Sequence, residues 1–400
     1  MRWIRPLLFA ALVLCVPDPL KAQADATSPM PASALSNPGE PRLRALASRL
    51  ASGRQNRLVV VQLGDSHTAA DFFTDRLRTA LQAAHGDGGI GRAPPMAVPG
   101  LLTARVAMQS AGWTLIDSRT MPDPGFPLGG FLARPGISGA ATLVSPVRPE
   151  DASGNWRVTL WLRGRPGATP LAWRDGLGKQ TLLPPVPPDG RWRPVGFTAT
   201  LPFTLVAPQP EGVEVGGMLF ERPNPPRGGG AQVDAIGNNG AKAELLQRWG
   251  QDWPTMLRQR NPDLVILAFG TNEAVDWAAD PELYRASLRE TVAQLRNAAP
   301  KAVLLMIGPP DLIGQAGTLD MRCTPPAPIR LSTVIDIQRE TAREAHALFW
   351  DWQQAMGGPC SMPRWQAQGW GNPDGTHMTY EGYRHAADLL LRDLAAVGIK

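Results

Sequence analysis

The sequence has little with which to hold a metal, cross a membrane or grip a polyanion. Its 400 residues include three cysteines and five histidines. Two of the cysteines, Cys323 and Cys360, lie far apart along the chain and supply too few ligands for a structural zinc site. No dense run of lysine and arginine occurs, which argues against nucleic acid as a partner. The most apolar segment, Leu7 to Val16, is too short for a comfortable bilayer span. No internal repeat is visible.

That short apolar segment has another use. Arg2 and Arg5 precede it and Ala22-Gln23-Ala24 follows it, the pattern of a secretory signal peptide over residues 1–24. An uncleaved anchor is the alternative. Cys15 follows the bulky Leu14, where a lipid-modified cysteine usually has a small residue before it. Removing the segment takes away Arg2, Arg5, Lys21 and Asp18, and the formal charge falls from +5 to +3. The expected localisation is periplasmic or secreted, with no stable membrane span after cleavage. In that compartment Cys323 and Cys360 form a candidate disulfide, with two buried free thiols as the alternative. Residues 25–40, rich in Ala, Ser and Pro, read as a linker.

What the chain does have is apolar residues, 43 % of the total, and 41 each of glycine and proline. Leu58 to Leu63 is a compact, β-branched run that reads as a buried parallel strand. A helical pattern follows, with Phe72, Phe73, Leu77 and Leu81 on one face. From about 100 to 225 helical periodicity fades. Short alternating stretches such as Trp156 to Leu162, Phe197 to Leu201 and Gly212 to Phe220 lie between turn signals, which suggests a β-sandwich or jelly roll. Strand–helix alternation then returns. Strands are expected over Gln232 to Ile236, Leu264 to Phe269, Ala302 to Ile307 and Ala347 to Trp350. Helices are expected over Ala241 to Arg260, Pro281 to Asn297, Leu331 to His346 and Thr379 to Val397. The fold class is α/β: a three-layer domain with a parallel sheet (residues 41–99 and 226–400), interrupted by a β-rich insertion (100–225).

Open parallel sheets bind ligands beyond the carboxyl ends of their strands. Ser66 follows the first strand there. Asn238, Asn239 and Gly240 follow the second, and Gly270, Thr271 and Asn272 the third. Asp374 and His377 precede the last helix. A serine hydroxyl needs a base to become a nucleophile; a histidine can take that proton and return it; a carboxylate fixes the imidazole tautomer. Asp374 and His377, three residues apart, can share one turn. Candidate oxyanion donors are the N–H of Ser66, the N–H of Gly240 and the amide of Asn272.

Gly64-Asp65-Ser66-His67 resembles the first block of the SGNH/GDSL hydrolases, with His67 where leucine is more usual. Asn239-Gly240-Ala241, Gly270-Thr271-Asn272-Glu273 and Asp374-Gly375-Thr376-His377 resemble their later blocks, in the right order. The resemblance implies a flavodoxin-like three-layer fold, ester hydrolysis and no cofactor. The GDSH form, the G-T-N-E block, Trp350-Asp351-Trp352 and Met356-Gly357-Gly358-Pro359 are similar to the exported peptidoglycan O-acetylesterase branch, which carries a β-rich, carbohydrate-binding-like module after the first block.

The expected activity is therefore removal of O-acetyl groups from a polysaccharide. Peptidoglycan comes first, and an acetylated exopolysaccharide such as a cellulose-associated glycan second. Acetyl transfer to a sugar hydroxyl through the same acyl-enzyme is an alternative, and a carbohydrate-binding protein with a dead site is another. Oligomeric state is not readable. His67, Trp365 and Trp370 are candidates for the substrate rim. Asp65 is read as a loop-ordering residue, and His85, His346 and His385 as structural. The insertion carries none of the four blocks, so chemistry on a small ester is expected to be independent of it.

Overall fold

A computed structural model describes residues 33–400, apart from 53–56, 122–124, 211, 226–228, 277, 279, 315–318, 321–322, 324–326 and 329. The expected signal peptide and most of the expected linker lie outside the described residues. The linker reading fails at its end: Leu35–Ser36 pairs antiparallel with Leu348–Trp350 and forms the edge of the central sheet.

The central sheet has six strands, in the order Leu35–Ser36, Leu348–Trp350, Val303–Ile307, Leu264–Ala268, Leu58–Gly64 and Ala231–Gly237. All neighbours but the first pair are parallel. Leu58–Gly64 lies inside the sheet, next to the edge strand Ala231–Gly237, and is buried along its whole length. Val59, Val61 and Leu63 enter one apolar cluster and Leu58 and Val60 another, which is the two-residue alternation of a strand covered on both faces. Helices including Pro281–Ala298 and Arg330–Glu344 cover the first face, and Phe72–His85 and Tyr380–Ala396 the second.

Residues Ala241 to Arg260 are not one helix. They form Leu245–Arg248 and Trp253–Arg260. Gly250 sits between them at φ +78°, and Pro254 lies in the first turn of the second helix. Proline lacks an N–H and is tolerated at a helix start, so it opens the second helix where periodicity alone suggests continuity.

The insertion is two antiparallel sheets. One runs in the order Gln180–Leu182, Ala172–Arg174, Phe203–Ala207, Ala140–Pro146, Val106–Ala111. The other runs Trp192–Ala199, Trp156–Gly164, Val213–Glu221, Phe131–Pro135, Trp113–Asp117, with Gly91–Ala93 added against Val213–Glu221. The β-rich module thus begins before residue 100. Trp156, Phe203 and Phe220 are fully buried in its core.

The module is fastened to the α/β domain by buried charge. Arg78, 2 % exposed, bonds Asp71, Asp75 and the Val233 carbonyl. From the module, Arg148 pairs with Asp75 and the Ala104 N–H donates to Asp71 at 2.8 Å. Arg222 reaches Asp87 at 3.0 Å and stacks over Trp156. Cys323 and Cys360 form a disulfide across a separation of 37 residues, a closure worth about 2–4 kcal/mol.

Candidate active site

The strand Leu58–Gly64 delivers the first site residue. A helix must turn back close to the strand here, and a Cβ at Gly64 would meet Thr68 Oγ1 at 2.1 Å and the Ala268 carbonyl at 2.6 Å. Only glycine fits that approach. Asp65 caps the short helix Ser66–Ala69 by accepting the His67 N–H at 3.0 Å. Ser66 is left partly exposed at the rim.

His377 Nε2 lies 2.9 Å from Ser66 Oγ, and His377 Nδ1 lies 2.8 Å from Asp374 Oδ2. With the proton on Nδ1, the imidazole donates to Asp374 and accepts from the serine hydroxyl. The other Asp374 oxygen accepts the N–H groups of Thr376 and His377, each at 2.9 Å. Burial pushes this carboxyl up, but those N–H groups and the imidazole outweigh it and hold the carboxyl below its ordinary range. The turn itself is pinned by Ile313 N–H to Gly375 O at 2.8 Å and Asn372 N–H to His377 O at 2.8 Å. Nucleophile, base and orienting carboxylate are therefore within hydrogen-bond reach of one another, an arrangement capable of acyl transfer.

The two remaining blocks face each other. Asn272 Nδ2 donates to the Ala241 carbonyl at 2.8 Å, which uses one of its two N–H bonds. Glu273 accepts the Ala243 N–H at 2.8 Å, and Lys242 pairs with Asp276. The N–H groups of Ser66 and Gly240 have no hydrogen-bond partner among the described residues. Gly240 has φ +71° in the turn Asn238–Ala241, which the Ala241 N–H closes onto the Asn238 carbonyl at 3.1 Å. Sequence reasoning missed Glu273. The signal was its place beside Asn272, on an element that must be tied to the glycine block.

Two buried carboxyls underlie these loops. Burial raises Asp65 to about 7, aided by the nearby Glu273, and Glu273 is raised to about 7 mainly by its own burial. Both bond backbone N–H groups, so they order loops.

The rim expectation needs correction at two positions. His67 is 4 % exposed and its Nδ1 lies 3.0 Å from the Tyr383 hydroxyl. Burial, with the neighbouring His377, lowers it to about 3, so it is a neutral wall behind the triad imidazole, 5.3 Å away between ring centres. Trp365 is 3 % exposed and donates to the Met356 carbonyl at 3.0 Å, so it is core. Trp370 is half-buried and stacks on His385 at 3.9 Å, so it remains partly accessible at the surface. His85 ends the helix Phe72–His85.

The insertion is not separate from the site. Arg119 donates to the Asn239 carbonyl, Asn239 Nδ2 donates to the Gly100 carbonyl at 2.7 Å, and Asn238 Nδ2 donates to the Gly129 carbonyl at 3.3 Å. Chemistry independent of the module, the expectation from the block positions, does not fit these contacts. Among the described residues no group of three or more His, Cys, Asp or Glu is arranged to hold a metal, and no helix is long and apolar enough to cross a membrane.

Residues 88–204 match the family model described as peptidoglycan O-acetylesterase, N-terminal. Residues 217–385 match the GDSL-like lipase/acylhydrolase family. Among solved structures, a peptidoglycan O-acetylesterase is 34 % identical, over 92 % of this chain and 99 % of that one, with a TM-score of 0.77. A family two carbohydrate esterase from Clostridium thermocellum is 13 % identical over 71 % of this chain and 98 % of that one, with a TM-score of 0.33. A putative GDSL-like lipase from Parabacteroides merdae is 19 % identical over 41 % of this chain and 73 % of that one, with a TM-score of 0.34. No curated protein sequence matches.

Proposed function

The chain belongs to the peptidoglycan O-acetylesterase family of GDSL-type ester hydrolases, and from that premise we propose that it removes acetyl groups from peptidoglycan sugars through Ser66, His377 and Asp374. The observation that carries the reading is the continuous chain of contacts from Ser66 Oγ through both imidazole nitrogens to Asp374. Ser66 Oγ attacks the acetyl carbonyl while His377 Nε2 takes its proton. The carbonyl electrons move onto oxygen, and the N–H groups of Ser66 and Gly240 and the free N–H of Asn272 receive that oxyanion. Collapse breaks the acyl C–O bond, and the sugar oxygen leaves as a hydroxyl by taking the proton from His377. Water, deprotonated by the same imidazole, then releases acetate and restores Ser66. Asp374 holds the imidazole tautomer and stabilises the imidazolium.

Export to the periplasm or beyond is part of the proposal. Its support is the leader-like residues 1–24, the disulfide and the location of the polymer. The test is acetate release by the mature protein from O-acetylated peptidoglycan, set beside an acetylated exopolysaccharide. Fastest release from peptidoglycan supports the reading. Release only from the exopolysaccharide overturns the substrate, and acetyl transfer to an added oligosaccharide without acetate release overturns hydrolysis.

A further inference from the structure

The turn that carries Gly240 is held from outside the catalytic domain. Asn238, Asn239, Gly240 and Ala241 form a four-residue turn closed by Ala241 N–H to Asn238 O at 3.1 Å. Its central peptide joins Asn239 to Gly240. That peptide takes no part in the turn's own hydrogen bond, and its orientation is what distinguishes the two common turn types. Gly240, at φ +71° with no atom within 4 Å of where a Cβ would sit, puts no steric brake on a flip. Left alone, the plane of this peptide is among the softest features of the site.

Arg119 supplies the missing restraint. It lies in the β-rich module, two residues past the strand Trp113–Asp117 and 120 residues from its target. Its Nη1 donates to the Asn239 carbonyl oxygen. The rest of the guanidinium is clamped by Asp117: Nε at 2.9 Å and Nη2 at 2.5 Å both donate to Asp117 Oδ2, and the Arg119 N–H donates to Oδ1 at 2.9 Å. The Arg119 carbonyl is itself held by Arg248 at 3.1 Å. The side chain of Asn239 is anchored to the module through Gly100.

In a trans peptide the carbonyl and the N–H point in opposite directions. A cation fixed on the Asn239 oxygen therefore aims the Gly240 N–H away from the module. It also draws electron density through the conjugated amide, which makes that N–H a stronger donor. Resting on the assignment of Ser66 as nucleophile and Gly240 as oxyanion donor, we propose that Arg119 is a positioning residue of the oxyanion hole: it sets the orientation and strength of the Gly240 N–H from behind, so that the β-rich module completes the catalytic machinery.

The test is Arg119→Met and Arg119→Lys in the full mature chain, measured on a small acetyl ester that is too short to touch the module. R119M is expected to lower kcat by about 10- to 100-fold, less than outright loss of a donor, with KM within about twofold. R119K, which keeps a cation and one donor, recovers part of that loss. Affinity for methylboronic acid, whose tetrahedral adduct on Ser66 places an oxygen in the hole, falls in parallel with kcat. Unchanged kcat in folded R119M overturns the inference, as does a loss confined to KM or to the polymer, which would make Arg119 a substrate contact. Should R119M fail to fold, Asp117→Asn loosens the same guanidinium, and wild-type kcat in both D117N and R119K overturns the inference equally. A Ser66→Ala protein assayed alongside separates the two claims: if it is inactive while R119M is normal, this inference alone fails; if it is active, the nucleophile assignment fails.

Discussion

The triad and the oxyanion side of this site are built in different ways. Asp374 and His377 sit three residues apart in one turn, and that turn is pinned by its own backbone and by Ile313. Ser66 is delivered by a strand and a short helix packed against each other. The module touches this half only at its end, where the Leu102 N–H donates to the Ala69 carbonyl at 3.0 Å, at the close of the helix that carries Ser66. The oxyanion side is assembled across the molecule. Asn272 and Glu273 grip Ala241 and Ala243, while Gly100, Arg119 and Gly129 of the module grip Asn238 and Asn239. The proposed nucleophile and base come from local geometry; of the proposed oxyanion donors, Gly240 sits in a turn held across an interface. On the proposed mechanism, an insertion in the middle of a catalytic domain bears on the chemistry itself.

The largest effects should fall on the self-contained half. Ser66→Ala and His377→Ala are each expected to lower kcat by about 10⁴-fold or more, leaving the residual rate that binding and the oxyanion donors supply. Melting temperature should change little, because neither side chain is buried core. Near-normal turnover in a folded variant of either kind would remove that half of the comparison.

Asn272→Ala strikes the assembled half. One donor is worth about 10²- to 10³-fold in kcat. The variant also frees the Ala241 carbonyl, so methylboronic acid should bind more weakly while KM for a small ester stays near wild type. A change confined to KM would assign Asn272 to ground-state binding.

The four blocks were legible because each is short; three fall at strand ends, where the sheet itself brings distant loops to one rim, and the fourth immediately precedes the last helix. The strand Leu58–Gly64 and the helices beside it were legible from apolar period. Contacts between segments far apart in sequence were not. No local pattern marks Arg119 as a partner of Asn239, or Tyr383 as the partner that buries His67, 316 residues away. Trp365 precedes the catalytic turn and looked like groove, but a three-residue register cannot show which side of a short helix packs inward. The break at Gly250 was missed for a related reason. Apolar spacing ran on across it while Gly250 and Pro254 decided the backbone.

The join between the regions can be tested by stability. Asp75 is 4 % exposed and pairs with both Arg78 and Arg148. Asp75→Ala leaves two cations without that partner, one of them buried, and should cost about 3–5 kcal/mol by denaturant titration. A loss below about 1 kcal/mol would mean that the Arg148–Asp75 pair does not carry the join.

The smallest effect is a pH dependence. Unfolded, Glu273 ionises near its ordinary 4.5; folded, burial delays this to about 7. Between those values the unfolded chain has released a proton that the folded chain keeps, so stability falls as pH rises through that window. Glu273→Gln keeps an oxygen for the Ala243 N–H but cannot ionise. It should lessen the fall between about pH 4.5 and 7, by on the order of 1–3 kcal/mol. An unchanged slope would place the titration elsewhere.

The most direct test of the account is to catch the acyl-enzyme. The mature protein, mixed with a small acetyl ester and quenched in acid within the first turnovers, is digested and mapped by mass spectrometry. The account predicts a single acetyl group on the peptide that begins the helix Ser66–Ala69, carried by Ser66 and absent from Ser66→Ala. Acetyl found on another side chain, or acetate released at the wild-type rate by Ser66→Ala, would contradict it.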